Sequence, residues 1–389
     1  MRSSTRLLSL GATAAILLAA CTSGGGTTGA PSVAPSTEPS AAASESAAAS
    51  ASTAANVDYT ACVAFDTGGL GDKGFNDLAK KGLDDAKAAG YKTFYSEAQG
   101  ATDYAANIQR LIDQGCQTII TVGFNQAQAT IDATLANPNI SFGQVDNVWN
   151  EAGPDFTMGT ADDSPFPPNF TGLDFQIDQA AMLAGYLAAG FSKSHKIGTY
   201  GGQQFPGVTR FMDGLYAGIK YYNQKKGTTV QLLGWDAKTQ TGSFVGGDNP
   251  WGDPAKGEQL AKTLLDQGVD IVHPVAGATG NGSIKAMLNA GKWAIGVDTD
   301  QAISLSEYAK AILTSAEKVI DVAVLDTINK NSGGDKGGEN FIGTLENKGV
   351  RLSPFHDFDT QIDAGLKAEI DQLSTDIASG TVKVADYLK

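Results

Sequence analysis

The chain has 389 residues, of which 42% are hydrophobic, 18% charged and 8% aromatic, and 28 Lys and Arg residues against 42 Asp and Glu residues give a formal net charge of −14. This is the composition of a globular protein with one large two-lobed unit or two domains, and its acidity argues against a nucleic-acid partner because a phosphate backbone would be repelled. A single long apolar run excludes a multi-span membrane protein, and three Cys with three His are too few for a zinc cluster or a disulfide-rich scaffold.

The N-terminus predicts a signal peptide over residues 1–20. Arg2 and Arg6 precede an apolar stretch, residues 7–20, that is too short to span a membrane comfortably. The stretch ends in small residues followed by Cys21, a pattern typical of the signal sequences of bacterial lipoproteins. We therefore expect Cys21 to be acylated, with palmitate or a similar chain, and to anchor the protein on the outer face of the cell membrane. A plain secretory signal cut nearby is the alternative.

Residues 22–56 form a low-complexity segment. Ser, Thr, Ala, Gly and Pro account for 31 of these 35 residues. Such a composition cannot bury a hydrophobic core. We expect residues 21–56 to be a disordered tether that follows the acylated Cys.

From Tyr59 onward the chain alternates short apolar strands with helices. The first series is predicted as strand 60–66, helix 75–89, strand 93–96, helix 104–114, strand 117–122, a helix from residue 126, and strand 140–145. This β-α-β order indicates a parallel sheet with helices on both faces.

A second, similar series begins near residue 174, without an evident sequence repeat. It is predicted as helix 176–189, strand 196–200, helix 211–222, strand 229–235, helix 258–267, strand 269–273, helix 282–290, strand 293–297, strand 311–314, helix 319–330, strand 341–343 and helix 362–379. The sequence thus predicts an α/β protein with two halves. Ligands bind at the carboxyl ends of parallel strands, so two such edges facing each other would form a cleft.

Acidic residues follow several of the predicted strands. Asp66 and Asp146 end strands of the first half, and His273 and Asp298 end strands of the second. Such residues also cap helices and stabilise turns, but their recurrence at equivalent places favours a site. His195 and His356 are expected at the surface.

The loop from Gly69 to Gly74 formally matches G-x-G-x-x-G. We do not interpret it as a dinucleotide site, because Asp66 and Asp72 would repel a pyrophosphate. No nucleophile, metal or phosphate-binding motif is evident. We therefore expect a protein that is not an enzyme and holds no cofactor or metal, with a hydrolase using cleft carboxylates as the remote alternative.

Cys62 and Cys116 lie at the starts of the first and third predicted strands. In a sheet ordered 2-1-3 these strands are neighbours, and a disulfide is plausible in an exported protein. Two buried free thiols are the alternative.

Several segments together resemble the basic membrane protein family, the PnrA-like substrate-binding lipoproteins of ABC transporters. They extend in order from about residue 60 to residue 356. The matching segments are 66–69 (DTGG), 72–76 (DKGFN), 183–187 (LAGYL), 253–257 (DPAKG), 276–282 (AGATGNG), 295–301 (IGVDTDQ), 313–315 (LTS) with Lys318, and 352–355 (LSPF).

This resemblance implies the type I periplasmic-binding-protein fold, in which two Rossmann-like lobes are joined by three crossings. It assigns residues 57–172 and 301–338 to the N-terminal lobe and residues 173–300 and 339–389 to the C-terminal lobe, with hinges near 171–174, 299–302 and 336–342. Several members bind purine nucleosides and deliver them to an ABC permease and its ATPase. A sugar or a signalling molecule bound by the same fold, with or without transport, is the alternative.

The resemblance also implies a set of ligand-binding residues. Two aromatic rings would stack on the base. Phe75 would supply one face, and either Phe244 or Trp251 the other. The remaining positions are Asp66, Asn76 and Asp146 at the base edge, Asp298 and Lys318 at the sugar hydroxyls, the backbone of Gly277 and of Thr279-Gly280, and Phe124 as a weaker candidate.

Overall fold

The computed structural model describes residues 58–151 and 165–389. The expected signal peptide, Cys21 and the tether up to residue 56 lie outside the described residues.

The described part of the chain alternates strands and helices. Its strands are β1 (Thr60–Phe65), β2 (Lys92–Glu97), β3 (Thr118–Val122), β4 (Ser141–Val145), β5 (Phe170–Phe175), β6 (Lys196–Gly201), β7 (Gln231–Leu233), β8 (Trp235–Asp236), β9 (Thr241–Gly242), β10 (Ile271–Val275), β11 (Trp293–Asp298), β12 (Ile312–Lys318), β13 (Glu339–Gly343) and β14 (Val350–Leu352). Its helices are α1 (Phe75–Ala88), α2 (Tyr104–Asp113), α3 (Ala127–Ala136), α4 (Ile177–Phe191), α5 (Pro206–Lys226), α6 (Pro254–Asp266), α7 (Gly277–Asn289), α8 (Gln301–Ser304), α9 (Ile320–Ser332) and α10 (Ala364–Ala378). None of these described helices combines the length and the apolar character that crossing a bilayer requires.

Two six-stranded sheets share one strand order. The first sheet runs β13-β5-β4-β3-β1-β2 and is parallel throughout. The second runs β14-β12-β11-β10-β6-β7, and only its edge strand β14 is antiparallel to its neighbour in the described sheet. In each sheet the first strand thus lies between the second and the third, which is the doubly wound order. The predicted α/β class with two similar halves is confirmed.

Each sheet is buried between helices. All six residues of β1 are buried, and α1 turns Ala79, Leu83 and Ala86 towards the core at helical spacing. In the second lobe α4 is buried along almost its whole length. A Cβ at Gly218 of α5 would lie only 2.1 Å from the carbonyl oxygen of Met182, so this glycine lets α4 and α5 approach closely.

Three crossings join the lobes, and they lie together. The chain crosses at Gln176 after β5, at Val319 after β12, and over residues 344–349 between β13 and β14. Backbone hydrogen bonds link them: the amide of Gln176 donates to Gly343 at 2.8 Å, and the amide of Val319 donates to Gly349 at 3.0 Å. This arrangement is suited to a hinge.

The lobe boundaries differ from the predicted ones. The family resemblance assigned residues 301–338 to the N-terminal lobe. In the structure β12 pairs with β11 in the second sheet. The middle crossing therefore lies at Val319 and not near residues 299–302. The strand β13 pairs with β5 in the first sheet, which moves the third crossing to residues 344–349. The strand β5 itself was not predicted, although Pro167, Pro168 and Asn169 directly precede it and are typical turn residues.

One predicted strand of the second half is interrupted. Instead of a continuous strand over residues 229–235, β7 ends before Gly234, whose φ of 91° is left-handed. The chain then forms the short antiparallel pair β8–β9.

A disulfide joins Cys62 to Cys116, with the Cα atoms 6.0 Å apart. Cys62 lies in β1, which pairs with β3 as expected, and Cys116 lies just before β3. The bond therefore ties two neighbouring strands of the first sheet at the end remote from the cleft.

Candidate functional site

The carboxyl ends of the two sheets face one cavity. It comprises about 580 Å³ of space between the lobes, part of which is open to solvent. Its lining combines charged groups, aromatic rings and small residues. The charged groups are Asp66, Asp72, Asp146, Asp298 and Lys318; the rings are Phe75, Phe124, Phe205, Phe211 and Trp251; the rest are Thr67, Gly68, Asn76, Gly123, Gly207, Val208, Val275, Ala276, Gly277 and Val297.

Asp66 follows β1 and is held in place by local hydrogen bonds. The hydroxyl of Tyr104 donates a short hydrogen bond to Oδ1 of Asp66, and the amide of Thr67 donates to the same oxygen at 2.7 Å. A Cβ at Gly123 would collide with the carboxylate, so the loop after β3 also packs against it. Burial raises the pKa of Asp66, although these donors favour its charged form.

Asp72 organises the start of α1. Its carboxylate accepts hydrogen bonds from the amides of Gly74 at 2.9 Å, Asn76 at 2.8 Å and Asp77 at 3.2 Å. The side-chain amide of Asn76 also donates to Asp72 at 3.1 Å. Asp72 thus satisfies helix-terminal amides that have no partner within the helix and fixes Asn76 and Phe75 at the cavity wall.

Asp146 and Asp298 occupy equivalent places in the two sheets. Asp146 follows β4 and Asp298 ends β11, and each of these strands is the fourth of its sheet in chain order. Both backbones are left-handed, with φ of 63° and 65°, a conformation uncommon outside glycine that concentrates at functional sites.

Lys318 lies between these two carboxylates. Its Nζ is 2.7 Å from Oδ2 of Asp146 and 3.7 Å from Oδ1 of Asp298. The Nζ also lies 5.2 Å from the ring centroid of Phe75 and 5.0 Å from that of Phe211, which favours the cation further. Lys318 ends β12, so the three charges meet where both sheets end.

Burial dominates the electrostatics of this cluster. The pKa of Asp298 is raised to about 6, mainly by desolvation; Lys318 opposes this shift, and Asp146 and Asp72 add to it. Burial works against a charge on Lys318, but the attraction of Asp146 and Asp298 outweighs it and leaves the lysine pKa above its ordinary value. Oδ1 of Asp298 is shielded from solvent and accepts no hydrogen bond from the described residues.

The aromatic rings come from both lobes. Phe75 starts α1 in the first lobe, and Phe205 and Phe211 belong to the start of α5 in the second. Phe124 of the first lobe stacks on Phe205, with centroids 5.3 Å apart and an interplanar angle of 18°. The ring centroids of Trp251 and Phe205 are 5.7 Å apart. The cavity therefore has aromatic rings from several elements in its wall.

Of the two alternatives for the second stacking ring, the structure brings Trp251 to the cavity and not Phe244. Phe244 forms a bridge with Gly201 at the end of β6, and its ring packs against Trp235 with centroids 6.1 Å apart. Phe244, one of the two alternatives, therefore does not line the cavity, because its backbone continues the edge of the second sheet and its partly buried ring packs against the core. Gly277 does reach the cavity.

The lobes touch on both sides of the cavity. On one side Nδ2 of Asn125 donates to Gln203 at 3.0 Å, beside the Phe124–Phe205 stack. On the other, Oγ of Ser304 donates to the carbonyl of Lys73 at 2.8 Å and Nδ2 of Asn281 donates to that of Asp72 at 3.0 Å. The structure thus represents a closed arrangement of the cleft.

His273 does not reach the cavity. It is buried in β10, its Nδ1 lies 3.1 Å from the carbonyl oxygen of Ile295, and burial lowers its pKa to about 4. Among the described residues, no group of three or more His, Cys, Asp or Glu side chains is arranged to hold a metal ion.

Sequence reasoning missed several lining residues, above all Phe205, Gly207, Val208 and Phe211. Phe205 directly precedes α5 and the other three lie in its first two turns, whereas the helix was predicted to begin only at residue 211. The signal was present, since Pro206 occupies the first helical position, where proline is preferred.

Comparison with known proteins agrees with this architecture. Residues 60–386 match the family described as the PnrA-like ABC transporter substrate-binding proteins, Bmp. A relative from Lactococcus lactis, the "ABC transporter nucleoside-binding protein BmpA", is 31% identical over 350 residues, which cover 84% of this chain and 89% of that protein. Two solved structures of ABC transporter solute-binding proteins share the fold: one from Aeropyrum pernix has a TM-score of 0.72 at 23% identity, covering 84% of this chain and 92% of its own, and one from Conexibacter woesei has 0.63 at 21% identity, covering 85% and 100%. The chain belongs to the basic membrane protein family of ABC transporter substrate-binding proteins and has the type I periplasmic-binding-protein fold.

Proposed function

We propose that this protein is a lipid-anchored receptor that binds a purine nucleoside between its lobes and delivers it to an ABC permease, without changing it chemically. The observation that carries the proposal is the cluster of Asp146, Lys318 and Asp298 beside aromatic rings in one closed cleft. A nucleoside combines a flat ring system with vicinal hydroxyls, and these two features call for the two kinds of surface found there.

The rings suit the base. Stacking on an aromatic side chain contributes about 1–3 kcal/mol per base. Phe75 of the first lobe and Trp251 of the second line the cavity from different elements, and we assign them to the two faces of the base. Asp66 and Asn76, fixed by the loop and the start of α1, would accept and donate hydrogen bonds at the base edge.

The charged cluster suits the sugar. Oδ1 of Asp298 accepts no hydrogen bond from the described residues, and a hydroxyl donating to an ionised carboxylate forms a strong charge-assisted bond. Lys318 would orient the hydroxyls and offset the carboxylate charge. A ligand without these hydroxyls would leave the buried acid without a partner, which costs binding energy.

The net charge of the lining argues for the nucleoside over its phosphorylated forms. Four carboxylates face the cavity with one lysine, and a phosphate placed there would be repelled. The relative that is 31% identical is named as nucleoside-binding, and this name supports the same ligand class here.

The anchor is the part of the proposal that rests on the sequence alone. Replacing Cys21 by Ala should abolish labelling by a radioactive or clickable palmitate and release the protein from membranes. Membrane association and lipid labelling that persist in Cys21→Ala would contradict the anchor without touching the ligand assignment.

A thermal-shift panel tests the ligand class. Inosine, guanosine and adenosine should each raise the melting temperature in a concentration-dependent manner, because a ligand that binds only the folded state stabilises it. Ribose, other sugars and free phosphate should not. A shift with sugars alone would favour the sugar-binding alternative, and conversion of the nucleoside to free base would indicate a hydrolase.

A further inference from the structure

We propose that the indole N–H of Trp251 is a specificity-determining hydrogen-bond donor to the ligand, so that the solute must carry an acceptor at that point of the cleft. This inference rests on the proposed function for the identity of the ligand. It assigns Trp251 a role beyond stacking: the ring nitrogen discriminates between bases by their acceptor atoms.

The first observation is the state of the nitrogen. Trp251 lines the cavity, and its Nε1 is shielded from solvent and has no hydrogen-bond partner among the described residues. Buried indole N–H groups normally find an acceptor. In the same cavity Oδ1 of Asp298, which lies 3.7 Å from Nζ of Lys318, accepts no hydrogen bond from the described residues. One donor and one acceptor are therefore left for a molecule that enters the cleft.

The second observation is that the indole is fixed in orientation. The carbonyl oxygen of Trp251 accepts a hydrogen bond from the amide of Thr279 at 3.0 Å. A Cβ at Gly202 would lie 2.3 Å from Cζ3 and 2.6 Å from Cε3 of the ring. These carbons are on the side of the indole opposite to Nε1. Since Gly68 of the first lobe also packs against the Cβ of Trp251, the ring cannot easily turn its nitrogen to another partner.

Trp235 provides the contrast within the same chain. Its Nε1 donates to Oδ1 of Asp213 at 2.8 Å, and it does not line the cavity. One indole thus has its donor satisfied by the protein, and the other does not. The pair allows the role of the N–H group to be separated from that of the ring.

Guanosine analogues that each lack one acceptor atom can identify the atom that accepts from Trp251. Guanosine presents ring nitrogens N3 and N7 and the 6-oxo oxygen, and 3-deazaguanosine, 7-deazaguanosine and 2-aminopurine riboside each lack one of them. Trp251→Phe keeps an aromatic face and removes the donor. Trp235→Phe is the matched control, since it removes an indole that already has its own partner.

Calorimetric titration of the full chain is the experiment. We expect Trp251→Phe to bind guanosine about 3- to 10-fold more weakly than the wild type, the effect of one neutral hydrogen bond, and Trp235→Phe to bind it equally well. One of the three analogues, the one that lacks the acceptor, should bind the wild type more weakly than guanosine does, by a similar factor. The same analogue should bind Trp251→Phe and the wild type with equal affinity. If all four ligands lose the same factor in Trp251→Phe, the ring contributes only its surface and the inference is overturned.

Spectroscopy gives a readout that does not depend on affinity. The chain has four Trp residues, and the indole N–H resonance of Trp251 is the one missing from Trp251→Phe. Guanosine should shift this resonance, the matching analogue should not reproduce the shift, and the Trp235 resonance should stay in place. If ribose binds and guanosine does not, the proposed function fails, and a shift of the Trp251 resonance by ribose would still support the donor role. The inference fails if none of these ligands binds, or if the Trp251 resonance does not shift with any ligand that binds.

Discussion

Lys318 and Asp146 form an ion pair with 2.7 Å between Nζ and Oδ2, although they end strands of different sheets. Both side chains are almost entirely buried. A buried ion pair between lobes requires additional partners to offset desolvation, and here Asp298 and the faces of Phe75 and Phe211 supply them. The closed cleft is thus built around one lysine.

Lys318→Met should destabilise the protein and abolish nucleoside binding. The change leaves Asp146 and Asp298 buried without a cation, which costs about 3–5 kcal/mol. The loss in unfolding free energy should be larger at pH 7 than at pH 5, where protonation of the acids relieves the repulsion. Denaturant unfolding at both pH values measures it. Lys330→Met, which breaks an exposed pair with Glu339, should cost no more than about 1 kcal/mol; an equal cost in both variants would contradict the role of Lys318.

Nucleoside affinity should depend on pH through Asp298. Its pKa is raised to about 6 by burial, with Asp146, Asp72 and Lys318 as the charged neighbours. The ligand hydroxyls bind the ionised form better, so binding releases a proton below pH 6. Affinity should therefore fall as the pH is lowered from 7 to 5, by up to about tenfold per unit, and level off above pH 7.

The control for this pH dependence is Asp298→Asn, which should bind weakly and with nearly constant affinity over the same range. Titrations with inosine, which does not ionise between pH 5 and 7, avoid a contribution from the ligand. A wild-type affinity that stays flat from pH 5 to 7 would show that Asp298 does not bind the ligand through its charge.

Phe75→Ala should weaken the binding of inosine, guanosine and adenosine to a similar extent. Stacking is tolerant of base identity and contributes about 1–3 kcal/mol, so the dissociation constants should rise by roughly 5- to 150-fold. Phe94→Ala, at an exposed ring on β2, is the control and should leave all three unchanged. A loss confined to one base would mean that Phe75 acts on the base edge and not on its face.

The stacked rings of Phe124 and Phe205 should contribute to closure of the cleft. They come from different lobes and lie at 5.3 Å, and aromatic pairs contribute about 0.5–1.5 kcal/mol beyond their buried area. A double-mutant cycle with Phe124→Ala and Phe205→Ala, read as nucleoside dissociation rates, should give a coupling energy of this size. Additive effects would place the two rings in separate roles.

Removing the disulfide should reduce stability but spare ligand binding. Replacing Cys62 and Cys116 by Ala opens a loop of about 55 residues, which corresponds to about 4 kcal/mol on the chain-entropy model and to a melting temperature lower by roughly 5–10 °C. The bond lies in the first sheet, far along the strands from the cavity. An unchanged melting temperature, or a large loss of affinity, would contradict this assignment.

The sequence predicted the secondary structure well where a local pattern determines it. Alternation of apolar strands with helices placed most elements within a few residues, because buried parallel strands and amphipathic helices differ in period. Asp66, Asp146 and Asp298 were found as acids at strand ends, and Lys318 and Asn76 came only from the family resemblance. The pairing of these residues across the cleft depends on how the lobes close, which no local pattern encodes.

The wrong predictions concern features that depend on contacts between distant segments of the chain. The strand β12 was placed in the wrong lobe because nothing in its sequence says which sheet it joins. Phe244 and Trp251 lie in one loop, and only the bridge of Phe244 with Gly201 separates their roles. Phe205 was missed because Pro206 was not recognised as the first residue of a helix.

The nucleoside site is tested by isothermal titration of the full chain with guanosine, run in parallel on the wild type and on Asp298→Ala. We expect one binding site per chain for the wild type and no measurable binding for the variant, which should still be folded by circular dichroism. Binding of equal strength to both proteins, or no binding to the wild type, would contradict a nucleoside held between the lobes by its hydroxyls.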